Sequence, residues 1–367
     1  MTMTKQQGFQ NKPLDVLIVG AGLSGICAAA HLSRTCPDKQ YAVLEARSAI
    51  GGTWDLFRYP GIRSDSDMYT LSYGFKPWKG MKAIADGADI RAYIEEAAKE
   101  NGVTPKIRFG HKVLAAAWSS TDACWSVTAE ASSVDGGSEV VVLRTRILYL
   151  CSGYYSYAQG HRPDFPGEDE FKGRFVHPQF WPQDLDYSGK NIVVIGSGAT
   201  AVTLVPSLAK TAAHVTMLQR SPSYVAYRPE VDASAHKFQR WLPAQSAHIA
   251  TRWKNVLVGM FYYRLARQRP EFFKNQLLEM TKRQLGSKSD IRHFTPSYKP
   301  WDQRVCVVPN GDLFKAIRKG AASVVTDTIG HFTPSGIKLA SGQELPADIV
   351  VTATGLKLNV LGDVQFT

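Results

Sequence analysis

Two glycine-rich hexapeptides carry the first chemistry legible in this 367-residue chain. Gly20-Ala21-Gly22-Leu23-Ser24-Gly25 follows the apolar run "DVLIV" and opens "GICAAAHLSRT", so a G-x-G-x-x-G turn joins a strand to a helix. Glycine at these places lets backbone N–H groups close on a pyrophosphate, and the helix N-terminus favours the anion. Glu45 ends the next strand, 20 residues beyond Gly25, where a carboxylate accepts hydrogen bonds from ribose hydroxyls. This site suits FAD or NAD. Gly196-Ser197-Gly198-Ala199-Thr200-Ala201, followed by Val202, is the G-x-G-x-x-A form of the same turn. Its next strand ends in Gln219-Arg220-Ser221 in place of an acid. A carboxylate there would repel a 2′-phosphate, whereas Arg220 and Ser221 would bind one, so the second site suits NADPH. One charge-assisted bond to phosphate is worth ~1.5–3 kcal/mol, a roughly ten- to hundredfold preference over NADH.

The elements that position these turns read as two β-α-β units, which gives an α/β protein with two Rossmann-type dinucleotide-binding domains. Between them, "WSVTAE" and "EVVVLRTRILYLCSG" alternate like antiparallel strands about the turn "SSVDGGSE". Residues 230–295 turn helical and aromatic, and strand patterning returns at "SVVTDTIGHF". The expected boundaries are an FAD-binding domain over 1–158, an NADPH-binding domain over 159–221 and 301–350, a helical insertion over 222–300, and a return towards the FAD domain over 351–367.

Composition narrows the class. The longest apolar runs are strand-length and end in glycine, far short of the ~20 residues of a membrane span. The polar N-terminus "MTMTKQQGFQNKP" has no signal-peptide core, so a cytoplasmic location is expected. Five widely spaced cysteines with no C-x-x-C pair argue against a disulfide framework, a zinc site and a dithiol redox centre. No other ligand-spaced set predicts a metal. The formal net charge is +11, and 14 Lys/Arg against 5 Asp/Glu fall between Pro222 and Pro300. Such a segment attracts anions. A solvated helical face beside an anionic cofactor accounts for it without nucleic acid. Within it, "IATRWKNVLVGMFYYRLAR" sets Trp253, Val256, Leu257, Met260, Phe261 and Leu265 on one helical face. That stripe packs on its own domain or lines a substrate entrance; peripheral contact with a membrane is the alternative.

With the cysteine pair of a disulfide reductase lacking, simple reductases and oxygenases remain. "GGTWDLFRYPGIRSDSD" and "FKGRFVHPQFWP" resemble the flavoprotein monooxygenases of the Baeyer–Villiger class. The second stretch fits that class's F-x-G-x-x-x-H-x-x-x-W-P fingerprint at Phe171, Gly173, His177, Trp181 and Pro182. Related heteroatom-oxygenating enzymes usually place tyrosine or phenylalanine where Trp181 stands. Over nearly its whole length the chain is similar to the group of mycobacterial monooxygenases that activate ethionamide, through "GGTWDLFRYPGIRSDSDMYTL", "NIVVIGSGATAVTLVP" and "PWDQRVCVVPNGDLF".

The resemblance implies roles. Ser24, Glu45, Thr53-Trp54-Asp55-Leu56, Asp65 and Val113 would contact FAD. Arg63, Ser64 and Asp65 would lie where the nicotinamide meets the flavin, and Gly196 to Val202 with Arg220 and Ser221 would hold NADPH. Arg304 matches the class's active-site arginine, with Asp65 orienting it. The implied reaction uses a C4a-peroxyflavin to insert one atom of O2 into a ketone, giving an ester or lactone, with sulfides and thioamides as further substrates. Arginine suits the developing negative charge, because it stays charged and donates through a planar fork. His177 is expected to be a linker residue coupling NADPH binding to closure of the flavin site. The family's chain continues well past the motif seen here as Ala353 to Gly355 and completes the flavin pocket. This one ends at Thr367, so weak or absent FAD binding is expected of it. The alternatives are a sulfur- or nitrogen-oxygenating flavin enzyme and a catalytically silent nucleotide-binding remnant.

Overall fold

The computed structural model describes residues 12–132, 135–286 and 290–367. Most of the polar N-terminal stretch, the middle of the expected turn at 133–134 and Lys288 of the basic segment lie outside the described residues. The chain divides into two compact units: residues 1–56, 88–159 and 356–367 form the first, and 57–87 with 160–355 the second.

In the first unit, β1 (Leu14–Val19) runs through the tight turn into α1 (Leu23–Thr35) and on to β2 (Tyr41–Leu44). Both strands are apolar and almost wholly buried, as expected of parallel strands covered on both faces. A short helix α2 (Thr53–Leu56) follows. The chain then leaves this unit, forms α3 (Met68–Leu71), and re-enters it along α4 (Gly87–Glu100). The remaining strands are β3 (Ile107–Arg108), β4 (His111–Ser119), β5 (Cys124–Ser132), β6 (Ser138–Leu150) and β7 (Tyr155–Gly160). The sheet order is β3-β2-β1-β6-β5-β4, with Gln365–Phe366 on the outer edge beside β4. The β5-β6 pair is antiparallel, as the alternation predicts, and β4 adds to β5 antiparallel as well.

The second unit is built on a parallel sheet of β8 (Arg174–Val176), β9 (Asn191–Ile195), β10 (His214–Gln219), β13 (Ala322–Thr326) and β17 (Ile349–Thr352), in the order β13-β10-β9-β17-β8. The helix α5 (Ala199–Leu208) crosses from β9 to β10. A parallel pair, β11 (Tyr224–Arg228) and β12 (Val305–Pro309), brackets the insertion of α6 (Ala233–Trp241), α7 (Ala244–Gln268) and α8 (Pro270–Leu285). The helix α9 (Asp312–Arg318) follows β12, and a three-stranded antiparallel sheet of β14 (Ile329–Thr333), β15 (Gly336–Leu339) and β16 (Glu344–Pro346) precedes β17.

One boundary departs from the sequence reading. Residues 57–87, expected within a continuous 1–158 domain, pack with the second unit. A Cβ on Gly61 would stand 1.9 Å from Ser207 Oγ of α5, and its φ of +77° also favours glycine. Arg63 donates to Asp312 of α9 at 2.5 Å. From α7, Arg252 donates to the carbonyls of Tyr69 and Ser72, and Asn255 to the Asp67 carboxylate. These partners are far away in sequence, and the segment itself has no strand or helix period to announce them. The return to the first unit likewise begins at Leu356 rather than at residue 351.

The insertion is pinned at its start by Asp232, which caps α6 through the N–H groups of Ser234 and Ala235 and accepts from Lys254 at 2.6 Å. Burial raises its pKa, but the bonds from Lys254, Ser234 and Ala235 outweigh burial and hold it at about 2. Because the folded pKa is depressed, this stabilisation is complete above the ordinary carboxylate range and is lost as pH falls towards 2. We expect Lys254→Met to move the acid loss of helical circular dichroism up by about one pH unit.

Candidate functional site

The two fingerprint turns use one backbone device. Gly20 has φ +104°, and a Cβ there would stand 2.4 Å from the Cys151 carbonyl oxygen; Gly196 has φ +134°, with the Ala353 carbonyl oxygen at 2.3 Å. Each turn is therefore wedged against the strand beside it and admits no side chain. The helices they open begin at Gly22 and Gly198, both extended, with no side-chain cap and no acid in the first turn. The helix dipole favours an anion at such an uncapped start. By contrast α6 starts on Asp232 and α3 on Asp67, each capped by its own carboxylate.

In the first unit a cavity of about 820 Å³ opens over the turn, within the size range of cofactor pockets. Gly20, Gly22, Ser24, Glu45, Thr53, Trp54 and Val113 line it, all expected at the flavin. Glu45 is buried, and its two oxygens accept from the N–H groups of Ala21 and Arg47, at 2.7 and 2.9 Å. Burial raises its pKa against the pull of those two bonds and of the Arg47 charge. The acid thus also braces the turn it follows. Asp55 and Leu56 lie behind the lining. Asp55 is buried and paired with Arg47 at 2.5 Å and Arg91 at 3.0 Å, anchoring α2 below Thr53 and Trp54. The sequence reading missed Arg47 and Arg91, and also Tyr157, which lines the cavity beneath the Arg47 guanidinium. Gly362 and Asp363 close another side.

In the second unit, Ala201 and Val202 are buried under the turn, while Ser197 bonds Ser223 Oγ at 2.9 Å. Thr200, at the start of α5, is hydrogen-bonded to the hydroxyl of Tyr59, whose pKa burial pushes up. Gln219 is buried at the end of β10, with its amide bonded to the His293 carbonyl and Thr326. Arg220 and Ser221 follow it and are exposed. Arg304 immediately precedes β12; its carbonyl accepts from Tyr298, whose own carbonyl accepts from buried Tyr224. The guanidinium lies over the fingerprint, since a Cβ on Gly198 would meet Arg304 Nη1 at 2.3 Å.

The expected orienting contact from Asp65 is not formed: among the described residues Arg304 has no ion pair, and Asp65 is exposed beside Ser66. Both charges are nonetheless felt at Cys306. Burial pushes that thiol up to about 11, Arg304 pulls it down and Asp65 pushes it up. Arg63 is tied to Asp312, and Ser64 is buried, with its hydroxyl accepting from Ala85 N–H.

The fingerprint stretch divides its labour. Phe171 and Trp181 sit in two hydrophobic clusters of the second unit. Gly173 allows the Asp348 carbonyl to approach, since a Cβ would stand 2.4 Å from it. The His177 ring packs on Gly160, and its Nδ1 accepts from Gln179 N–H. Burial lowers its pKa, although the backbone of Gly355 and of His161 favours the charged form. Gly160 is where the chain enters this unit for the second time, and Gly355 is where it finally leaves it.

Two dinucleotide turns on one chain define an oxidoreductase that works with two dinucleotide cofactors. Comparison with known proteins narrows this. Residues 82–361 match the family model of flavin-binding monooxygenase-like proteins, and residues 18–89 that of the NAD(P)-binding Rossmann-like domain. The FAD-containing monooxygenase EthA of Mycolicibacterium smegmatis is 55% identical over 96% of this chain and 71% of its own length. The probable FAD-binding monooxygenase AlmA of Acinetobacter baylyi is 50% identical over 97% and 71%. Among solved structures, OTEMO in complex with FAD and NADP superposes with a TM-score of 0.75 at 24% identity, over 97% of this chain and 74% of that one. The chain belongs to the flavin-binding monooxygenase-like family: it is a flavin-dependent monooxygenase whose cofactors are a flavin and a nicotinamide dinucleotide.

Proposed function

We propose that the chain uses FAD and NADPH to insert one oxygen atom of O2 into a ketone, giving an ester or lactone, and oxidises sulfides or thioamides in the same site. Bound FAD, reduced by NADPH, supplies the activated oxygen. The chain's residues bind, orient and stabilise. The cavity over Gly20 and Gly22 would take FAD, with Glu45 on its ribose and Thr53, Trp54 and Val113 along its sides. The turn from Gly196 to Val202 would take the NADPH pyrophosphate, with Arg220 and Ser221 on the 2′-phosphate. The single observation that carries the ketone reading is the Arg304 guanidinium lying at the second fingerprint, free of any ion pair among the described residues. A cation not neutralised by a carboxylate remains able to stabilise charge that develops on a carbonyl oxygen. His177, packed where the chain enters and leaves the second unit, would act as the linker between nucleotide binding and flavin-site closure.

The test is product analysis of the purified chain with FAD, NADPH, labelled O2, a linear ketone and a thioether. Labelled ester supports the reading. Sulfoxide without ester moves it to a heteroatom oxygenase, and no labelled product leaves a nucleotide-binding chain without oxygenation. For cofactor choice, Arg220→Ala should raise the KM for NADPH by roughly ten- to a hundredfold and leave that for NADH unchanged. Steady-state rates with both nucleotides check it. Peripheral membrane association belongs to the same proposal and rests on the helical insertion.

A further inference from the structure

The last turns of α7 are exposed without interruption from Leu257 to Arg264. A helix that buries one stripe shows its partner side as apolar and its outer side as polar. Here Leu257, Val258, Met260, Phe261, Tyr262 and Tyr263 lie all round the helix and each is at least 45% exposed, Phe261 62% and Leu257 59%, although Tyr262 meets the Phe273 ring and Tyr263 the Trp301 ring. One turn earlier Trp253 is 60% exposed, and at the end of α6 Trp241 is 77% exposed. Large apolar surfaces of this kind mark a docking face.

Charge selects the occupant. Residues 233–270 contain seven Lys/Arg and no Asp or Glu. Arg252, Lys254 and Arg267 are held internally, by the carbonyls of Tyr69 and Ser72, by Asp232, and by Asp302. Lys237, Arg264 and Arg269 have no ion pair among the described residues, and all three are exposed. A second copy would bring the same uncompensated positive charge to this face and be repelled. An anionic surface that also accepts aromatic rings satisfies both features. No helix among the described residues is long and apolar enough to cross a membrane, so the contact is one of lying on the surface.

We infer that the α6–α7 surface docks on the headgroup layer of an anionic lipid bilayer, with Trp253, Leu257 and Phe261 inserted and Lys237, Arg264 and Arg269 on the phosphates. Flotation of the purified chain with vesicles of phosphatidylcholine containing roughly a quarter phosphatidylglycerol, against pure phosphatidylcholine, tests it. The chain should float with the anionic vesicles and stay behind with the neutral ones. Phe261→Asp should lower the partition coefficient at least about tenfold, and Arg264→Gln about fivefold, the effect of one basic charge near an anionic leaflet. Both side chains are exposed, so unchanged thermal melting certifies the variants. Failure to float overturns the inference, as does equal recovery with neutral vesicles. A lipid-free dimer that Phe261→Asp dissociates also overturns it, assigning the face to a second copy. The inference rests on and deepens the peripheral membrane association proposed above; none of these readouts requires oxygenation, so their failure is distinct from failure of the proposed oxygenation.

Discussion

Arg304→Ala should abolish ester formation while NADPH oxidation stays measurable. Attack on a ketone carbonyl builds negative charge on its oxygen, and a donor fixed in advance stabilises that charge without reorganising during the step. Removing one such donor from a water-excluded site costs about 10²–10³ in rate. Oxidation of NADPH develops no charge on the ketone oxygen, so it would continue without the arginine, with hydrogen peroxide as its product. The guanidinium also overlies the Gly198 turn, and loss of one charge-assisted bond there should raise the KM for NADPH by roughly tenfold or more. Arg304→Lys separates the two contributions: a point charge restores much of the nucleotide affinity, whereas the planar fork needed at the carbonyl is not restored. The measurement is the ratio of ester formed to NADPH consumed, with peroxide assayed in parallel. A fall in NADPH oxidation equal to the fall in ester would make Arg304 a nucleotide ligand alone.

How much of this was legible follows from the range of each interaction. Strands β1 and β9 announce themselves because a doubly covered parallel strand has to be apolar along its length. The fingerprint glycines are legible because a backbone wedged on a neighbouring carbonyl tolerates nothing larger, and the acid at Glu45 because a dinucleotide-binding β-α-β unit is expected to carry one at that spacing. The bracing role of Glu45, through Ala21 N–H and Arg47 N–H, is invisible in sequence, since spacing does not say which donors surround a buried carboxylate. The excursion of residues 57–87 was misplaced for a similar reason. Its anchors are an ion pair from Arg63 to Asp312, 249 positions away, and bonds to α7, about 180 positions away. Asp65 illustrates the limit of resemblance: position in a motif predicted an orienting bond to Arg304, and the arginine lies over Gly198 instead. Tyr59, bonded to Thr200, stands inside a stretch that resemblance singled out, yet nothing in its neighbours pointed to the second turn.

The glycines themselves provide the sharpest contrast, because the third position of the first fingerprint and the second position of the other should fail in opposite ways. A Cβ on Gly25 would stand 1.8 Å from the Gly20 carbonyl oxygen and 2.9 Å from its carbon. Those are backbone atoms of the same turn, already fixed against Cys151, so the overlap is relieved only by opening the turn. Gly25→Ala should therefore lower the melting temperature by at least about 5 °C and eliminate flavin binding. At the equivalent place the second fingerprint already carries Ala201, fully buried, so the intolerance belongs to the first turn and not to the motif. A Cβ on Gly198 meets chiefly the far end of Arg304, and a long side chain can swing aside. Gly198→Ala should keep its melting temperature within about 2 °C of the parent, while NADPH affinity and the ester-to-NADPH ratio both fall. Pairing it with Arg304→Ala decides the cause. If the methyl acts by displacing the guanidinium, the double variant has a KM for NADPH no higher than that of Arg304→Ala alone, since neighbouring residues that act through one contact are not additive. Additive losses would instead mean that Gly198 serves the nucleotide pyrophosphate independently of the arginine above it.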